Sequence, residues 1–272
     1  MDVIIPSDYM ISRMIQEEML LPLHFENIPN FEYIDAAYKN MPYDPENRYS
    51  VPYTWGTTGI TYNEKYVDPA DATGWELLWN EKYADKILMF GNSRDAFGVA
   101  ELILGYDINT TDDAQLREAA ELLKKQKPLV QQYVMDECFE AMENEEAWIV
   151  PYYAGDALSM AAVNENLKFY HPEQGFNLFV DAMCIPTCSR NPAAAELFIN
   201  FLCNPEIAGQ NMAFLGYGVP ISAAKEYMDA EVVSNPVAYP DETVMEKGAQ
   251  FLYLPVQVNQ RIEELWLEAK TN

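Results

Sequence analysis

The sequence predicts a two-lobed α/β protein, and three observations support that fold class. The chain has 272 residues, which is enough for two lobes of roughly 100 to 150 residues each. Strand and helix patterns alternate along its whole length, and no internal repeat is visible. Residues 48–63 (RYSVPYTWGTTGITYN) mix β-branched and aromatic residues with one proline and two glycines, as extended strands do. We interpret this segment as a crossing between lobes.

The first half of the chain begins with a short apolar strand at residues 3–6. Ser7 then precedes apolar residues at helical spacing up to Met19, which predicts a capped amphipathic helix. Asn92 and Asp95 lie at the start of a helix that runs through Leu104. The other predicted elements are a helix at 75–79, a strand at 86–90 and a long amphipathic helix at 112–133.

The second half continues the alternation of strands and helices. Asn191 and Pro192 begin a strongly apolar helix through Cys203, and Pro205 begins the next one. The remaining predicted elements are helices at 138–146 and 256–270, strands at 147–150, 167–170 and 178–186, and a turn at 215–220.

The charge balance restricts the class of partner. Seventeen Lys and Arg residues against 43 Asp and Glu residues give a formal charge of −26. Such a surface repels nucleic-acid phosphates and anionic lipid headgroups, so nucleic-acid binding is not expected. A cationic ligand would be attracted, although a solvated acidic surface also accounts for the charge.

The sequence gives little indication of a metal site or of a membrane-spanning segment. The four cysteines, Cys138, Cys184, Cys188 and Cys203, form no C-x-x-C pair, and the two histidines are far apart, so we expect no metal site and buried free thiols. No apolar run reaches 18 residues, and the N-terminal residues do not have the pattern expected of a signal peptide. The abrupt start on a strand pattern favours a missing upstream segment.

The common enzyme motifs are absent from the sequence, including the nucleophile elbow, the P-loop and the metalloprotease H-E-x-x-H. Polar and aromatic residues do follow several strand ends, where α/β proteins bind ligands. Each of them also fits an ordinary turn or cap. These candidates are Ser7, Tyr9, Asn92, Asp95, Tyr152, Tyr153, Asp156, Phe179, Asp181 and Tyr217.

In their order and spacing, several segments resemble the spermidine/putrescine-binding proteins of bacterial ABC importers, a branch of the extracytoplasmic solute-binding proteins. The resemblance covers essentially the whole chain. Its most specific pieces are DVIIPSDYMISRM, YSVPYTWGTTGITYN, the turn at 92–97, LFVDAMCIP, NPAAAELFINFLCNPEIA and LGYGVP.

The resemblance implies a type II periplasmic-binding-protein fold whose lobes are joined by crossing hinge strands, with the ligand in the cleft. Residues 1–56 and 181–227 would form the first lobe, without the family's N-terminal strand-helix-strand. Residues 57–180 and 228–272 would form the second. The protein would be an extracytoplasmic monomer, periplasmic or lipid-anchored, that delivers a polyamine to a membrane permease and has no enzymatic activity or cofactor.

The resemblance also implies roles for individual residues. Asp181 stands at the family's ammonium-binding aspartate, and Ser7 and Tyr9 lie on the first lobe's rim. Asn92 and Asp95 would come from the second lobe, although the family has a carboxylate at the first position and a longer acid at the second. Tyr153 and Phe179 replace tryptophans, and Tyr217 lies opposite. A polyamine needs carboxylates for its ammonium groups and aromatic faces for its methylenes.

Two alternatives remain at this stage. The adjacent Tyr152 and Tyr153 resemble the tandem tyrosines of ferric-ion-binding relatives, with His171 and Asp181 as further ligands. A hydrolase using Asp95 and Asp181 as an acid/base pair is the more remote one.

Overall fold

The computed structural model describes residues 1–271, which divide into two compact units. The first unit comprises Met1–Gly56, Leu178–Tyr239 and Gln250–Tyr253. The second comprises Thr57–Asn177, Pro240–Ala249 and the described residues from Leu254 onward. The chain crosses between the units at residues 56/57, 177/178, 239/240, 249/250 and 253/254, and the first two of these crossings lie within strands.

The helices and strands alternate along the chain. The α-helices are α1 (Asp8–Gln16), α2 (Ser93–Leu104), α3 (Asp113–Gln126), α4 (Cys138–Glu143), α5 (Ala154–Val163), α6 (Pro192–Leu202), α7 (Pro205–Leu215), α8 (Ala230–Val233), α9 (Glu242–Met245) and α10 (Val256–Thr271). The strands are β1 (Ser50–Asn63), β2 (Ile87–Phe90), β3 (Val130–Val134), β4 (Ile149–Tyr153), β5 (Leu167–Tyr170), β6 (Phe176–Cys184) and β7 (Gly248–Ala249). Short 3-10 helices include Phe25–Asn27, Pro29–Tyr33, Trp75–Trp79, Lys127–Leu129 and Ser222–Tyr227.

The first unit is built around α6 and α7, whose apolar faces meet the end of β6. Ile199, Met212 and Met183 are almost fully buried in this core. The start of α7 is well specified, because the Asn204 side chain accepts hydrogen bonds from the amides of Glu206 and Ile207. Helix α7 ends at Gly216, which adopts the left-handed conformation (φ 77°) that glycine tolerates best.

Most strands of the sheet belong to the second unit. The strand order is β3-β2-β4-β1-β6-β7, and β5 also pairs with β1. Strand β2 (ILMF) is buried along its whole length and pairs in parallel with β3, whereas β1 is antiparallel to β4 and β5. Helices α2, α3 and α10 pack against one another beside this sheet. Continuous apolar strands such as β2 are typical of sheets covered on both faces.

Several predicted elements are shorter than expected. Residues 3–6 form only an isolated bridge, in which Ile4 exchanges backbone hydrogen bonds with Cys184. Helix α1 stops at Gln16, and Glu18 adopts a left-handed φ of 54°. The predicted helix at 112–133 ends at Gln126, because Pro128 lacks an amide proton and the following residues pair with β2. The helix predicted at 138–146 ends at Glu143.

Two further expectations were wrong at single residues. The Ser7 side chain makes no capping hydrogen bond to α1, since its hydroxyl bonds to Asp181 instead. Cys188 is exposed, although Cys138, Cys184 and Cys203 are buried as expected and all four thiols are free. Cys188 lies beyond the end of β6, in a turn that follows Pro186 and faces solvent.

The first unit is larger than the predicted first lobe, since it also includes residues 178–180, 228–239 and 250–253. Aromatic contacts explain two of these additions. The Tyr239 ring lies 5.8 Å from Trp55, and Phe251 lies 6.2 Å from Tyr9, both edge to face. No helix among residues 1–271 is both long and apolar enough to cross a bilayer.

Candidate functional site

Asp181 is the central acidic residue of a polar and aromatic group in the first unit. It lies on β6 and forms an isolated antiparallel bridge with Ser7. Its carboxylate oxygen Oδ1 is inaccessible to solvent and has no hydrogen-bond partner among the described residues. Burial raises the pKa of Asp181 to about 6, while the hydrogen bond from the Ser7 hydroxyl partly opposes that rise. The Asp181 carboxylate therefore has fewer hydrogen-bond donors around it than it can accept.

Aromatic rings accompany this carboxylate. Phe179 precedes Asp181 by two residues, so the two side chains project from the same face of β6. The rings of Phe179 and Tyr217 lie 5.9 Å apart at an interplanar angle of 71°. Tyr217 is positioned by the left-handed end of α7 at Gly216. Ser7, Tyr9, Phe179, Asp181 and Tyr217 thus all belong to the first unit.

In the second unit the predicted residues surround the start of α2. Asp95 lies in the first helical turn and is only 7% exposed. The Tyr153 hydroxyl donates to Asp95 Oδ2 over 3.3 Å. Burial raises the pKa of Asp95 to about 6, and the Tyr153 hydrogen bond and the charge of Arg94 act in the opposite direction.

Asn92 caps α2, because its side-chain oxygen accepts a 2.9 Å hydrogen bond from the Arg94 amide. The acceptor atom of this candidate is therefore engaged in holding the helix start. Tyr153 is the residue immediately before α5, and the centroid of its ring lies 5.8 Å from that of Phe90. Asn92, Asp95 and Tyr153 all belong to the second unit.

The residues considered for iron have other hydrogen-bond partners. Tyr152 is 1% exposed, its hydroxyl donates to Asp136 over 2.9 Å, and burial raises its pKa. His171 Nε2 lies 2.8 Å from the Thr57 hydroxyl, and burial lowers the pKa of His171 to about 4. Within residues 1–271, no three His, Cys, Asp or Glu side chains come close enough to hold a metal ion.

The sequence interpretation missed residues that support the first-unit group. The Tyr43 hydroxyl is buried without a hydrogen-bond partner among the described residues, and burial raises its pKa, aided by the charges of Asp8, Asp44 and Asp181. Trp55 and Gly56 pack against residues 217 and 218. Tyr43 lies in an irregular segment without periodicity, so no pattern indicated it. The aromatic-glycine pairs at 55–56 and 217–218 were a usable signal.

Comparison with known proteins agrees with this architecture. The chain is 32% identical over 247 residues to the spermidine/putrescine-binding periplasmic protein of Salmonella typhimurium, covering 91% of this chain and 71% of that protein. It is 28% identical to the putrescine/cadaverine-binding protein of Pseudomonas aeruginosa over an alignment of 284 positions, which covers 99% of this chain and 79% of that protein.

A solved structure gives the same result for the fold. The spermidine/putrescine ABC transporter substrate-binding protein PotD of Streptococcus pneumoniae is 36% identical and superposes with a TM-score of 0.88, covering 99% of this chain and 83% of that one. This agreement confirms the predicted solute-binding-protein fold. The sequence profile of one bacterial extracellular solute-binding protein family matches residues 1–247. The chain therefore belongs to the bacterial extracellular solute-binding proteins.

Proposed function

We propose that this protein binds a polyamine such as putrescine or spermidine and delivers it to the membrane permease of an ABC importer. The observation that carries the proposal is the buried, partnerless Oδ1 of Asp181, on the same strand face as Phe179, whose ring packs against Tyr217. The names of the relatives support the same ligand class.

The chemistry of the ligand matches the chemistry of this group. A buried carboxylate oxygen without a hydrogen-bond donor is unfavourable, and an ammonium group supplies both the missing hydrogen bond and the compensating charge. The adjacent rings offer apolar contact for methylene groups, and a cation near a ring face gains roughly 0.5 to 2 kcal/mol. Asp181 is the proposed anchor, with Ser7, Tyr9, Phe179 and Tyr217 around it.

Asp95 is the proposed second ammonium-binding carboxylate, with Tyr153 holding it and Asn92 beside it. Its carboxylate is nearly as buried as a core residue, and a cation would favour its charged form. The formal charge of −26 would also increase the rate at which a polycation arrives. The rings at 153 and 179 are smaller than tryptophan, which favours a slender ligand.

The remaining parts of the proposal concern location and role. The relatives named above include a periplasmic protein and an ABC transporter substrate-binding protein. We place this chain outside the cytoplasmic membrane, either free in the periplasm or lipid-anchored. There it would act as a monomer, interact with a permease and release its ligand chemically unchanged.

Titration calorimetry with putrescine, cadaverine, spermidine and ferric ion tests the ligand class. Asp181→Asn is the informative variant, since it keeps the shape and removes the charge. Glu101→Gln is its matched control, because Glu101 is also buried without a hydrogen-bond partner among the described residues but lies on α2 outside the proposed group.

Loss of the partner of a buried ammonium costs about 3 to 5 kcal/mol, so Asp181→Asn is expected to weaken polyamine binding roughly 100-fold or more. Glu101→Gln is expected to bind within about twofold of the parent. Equal affinity in Asp181→Asn and the parent would refute the anchor assignment. A charge-transfer band on adding ferric ion alone would favour the iron alternative, and recovery of a modified ligand would favour a hydrolase.

A further inference from the structure

Two aromatic-glycine dipeptides face each other in the first unit. Trp55 and Gly218 form an antiparallel bridge, in which the Trp55 amide donates to the Gly218 carbonyl over 3.0 Å and the Gly218 amide donates to the Trp55 carbonyl over 2.9 Å. In this register Gly56 lies opposite Tyr217. Each aromatic residue therefore faces a glycine on the other segment.

The absence of a side chain at Gly56 leaves room for two aromatic rings. A Cβ atom added to it would lie 2.6 Å from Phe179 Cζ and 2.8 Å from Tyr217 Cδ1, whereas ordinary contacts begin at 3.4 Å. The φ angle of Gly56 is not among the positive ones, so its backbone conformation suits any residue. The two rings thus occupy the volume that a side chain at residue 56 would fill.

The opposite half of the arrangement is tightly packed. A Cβ at Gly218 would overlap the Trp55 indole, which is 6% exposed. Tyr38 stacks on that indole at 6.0 Å, Tyr239 meets it edge-on at 5.8 Å, and the indole nitrogen donates to the Val219 carbonyl over 3.3 Å. These contacts and the Trp55–Gly218 hydrogen bonds hold the paired backbone in place. A side chain added at residue 56 would therefore displace the Phe179 and Tyr217 rings.

We infer that Gly56 is the positioning residue of the aromatic group beside Asp181: its missing side chain sets where the Phe179 and Tyr217 rings stand. This inference rests on the proposed function for its effect on affinity. A Cβ at 56 would push the tip of the Phe179 ring back by at least about 0.8 Å, from 2.6 to 3.4 Å. Contacts from which the ring retreats by that distance lose a quarter to a half of their dispersion attraction.

The test compares Gly56→Ala with Gly209→Ala. A Cβ at Gly209 would lie 2.5 Å from the Ala224 carbonyl oxygen, which is backbone and cannot swing away, so that variant is expected to lose thermal stability but bind polyamine within about twofold of the parent. Gly56→Ala clashes only with side-chain atoms of Phe179 and Tyr217 and not with backbone. It is expected to keep most of its stability and to lose affinity at least about fivefold.

A double-mutant cycle and a ligand-free measurement complete the test. If Gly56 acts through Phe179, the losses of Gly56→Ala and Phe179→Ala will be less than additive. NMR of selectively labelled Phe and Tyr rings without ligand should show shifted Phe179 and Tyr217 resonances in Gly56→Ala and unshifted ones in Gly209→Ala. Unshifted rings in Gly56→Ala, or equal affinity losses in both glycine variants, would overturn the inference. A parent that binds no polyamine refutes the proposed function, and the ring resonances still decide the role of Gly56.

Discussion

Asp181→Asn should make the ligand-free protein more stable at neutral pH while it weakens ligand binding. The reason is the buried Oδ1 of Asp181, which receives no hydrogen bond from the described residues. Burial raises the pKa of this carboxyl from 3.8 to about 6, so the folded protein holds the proton more tightly than the unfolded chain does. The asparagine side chain carries no charge at any pH, and replacing the aspartate removes the penalty.

The size and the pH range of the effect follow from linkage. Well below pH 3.8 the carboxyl is protonated in both the folded and the unfolded protein, so it does not lower the free energy of unfolding. As pH rises toward about 6 the unfolded chain releases its proton first, so the stability of the parent falls and then levels off above that pKa. A rise from 3.8 to about 6 corresponds to roughly 3 kcal/mol at 1.36 kcal/mol per pH unit. Asp181 keeps some solvent contact, so we expect about half of that.

Urea unfolding of parent and variant between pH 4 and pH 9, without ligand, measures this difference. The stability gain of Asp181→Asn should be close to zero at pH 4 and constant above about pH 7. Glu101→Gln provides an internal comparison, because burial raises the pKa of Glu101 to about 8 and its gain should continue to grow up to about pH 9. A gain for Asp181→Asn that is the same at every pH would refute the linkage argument.

Two further predictions concern binding and folding. Polyamine affinity measured by calorimetry should fall as pH drops below about 6, because Asp181 and Asp95 then take up protons that compete with the ligand; an affinity that is constant from pH 8 to pH 5 would contradict this. Asn204→Ala should lower the free energy of unfolding by about 1 kcal/mol through loss of the α7 cap, with polyamine affinity unchanged, and a loss of affinity would show that α7 acts on Tyr217.

Local patterns were enough to predict much of the secondary structure. The helix after Asn92, the apolar helix from Pro192 and the helix from Pro205 follow from caps and prolines within a few residues. The end of α3 was missed although Pro128 marks it, because the apolar spacing continued past the proline into a strand. Ser7 was assigned to a cap because that role is local, whereas its actual partner is 174 positions away along the chain.

The candidate site shows the same division between local and distant information. The residue types and their order along the chain identified Asp181, Phe179 and Tyr217 as binding candidates, and the resemblance assigned them roles. Neither indicated that Trp55 pairs with Gly218 or that the Tyr217 ring packs over Gly56. Backbone pairing between distant segments depends on how the whole unit folds.

The sequence by itself therefore determined the α/β class, the acidic surface, the family and most helix starts, because caps, periodicity and composition act over a few residues. Only the tertiary structure decided that Asp181 Oδ1 is shielded from water and left without a donor, that Asp95 is held by Tyr153, and that Phe179 and Tyr217 occupy the space above Gly56. Burial and close packing arise from residues far apart in the chain, and they convert an ordinary aspartate into a carboxylate that favours a cationic partner.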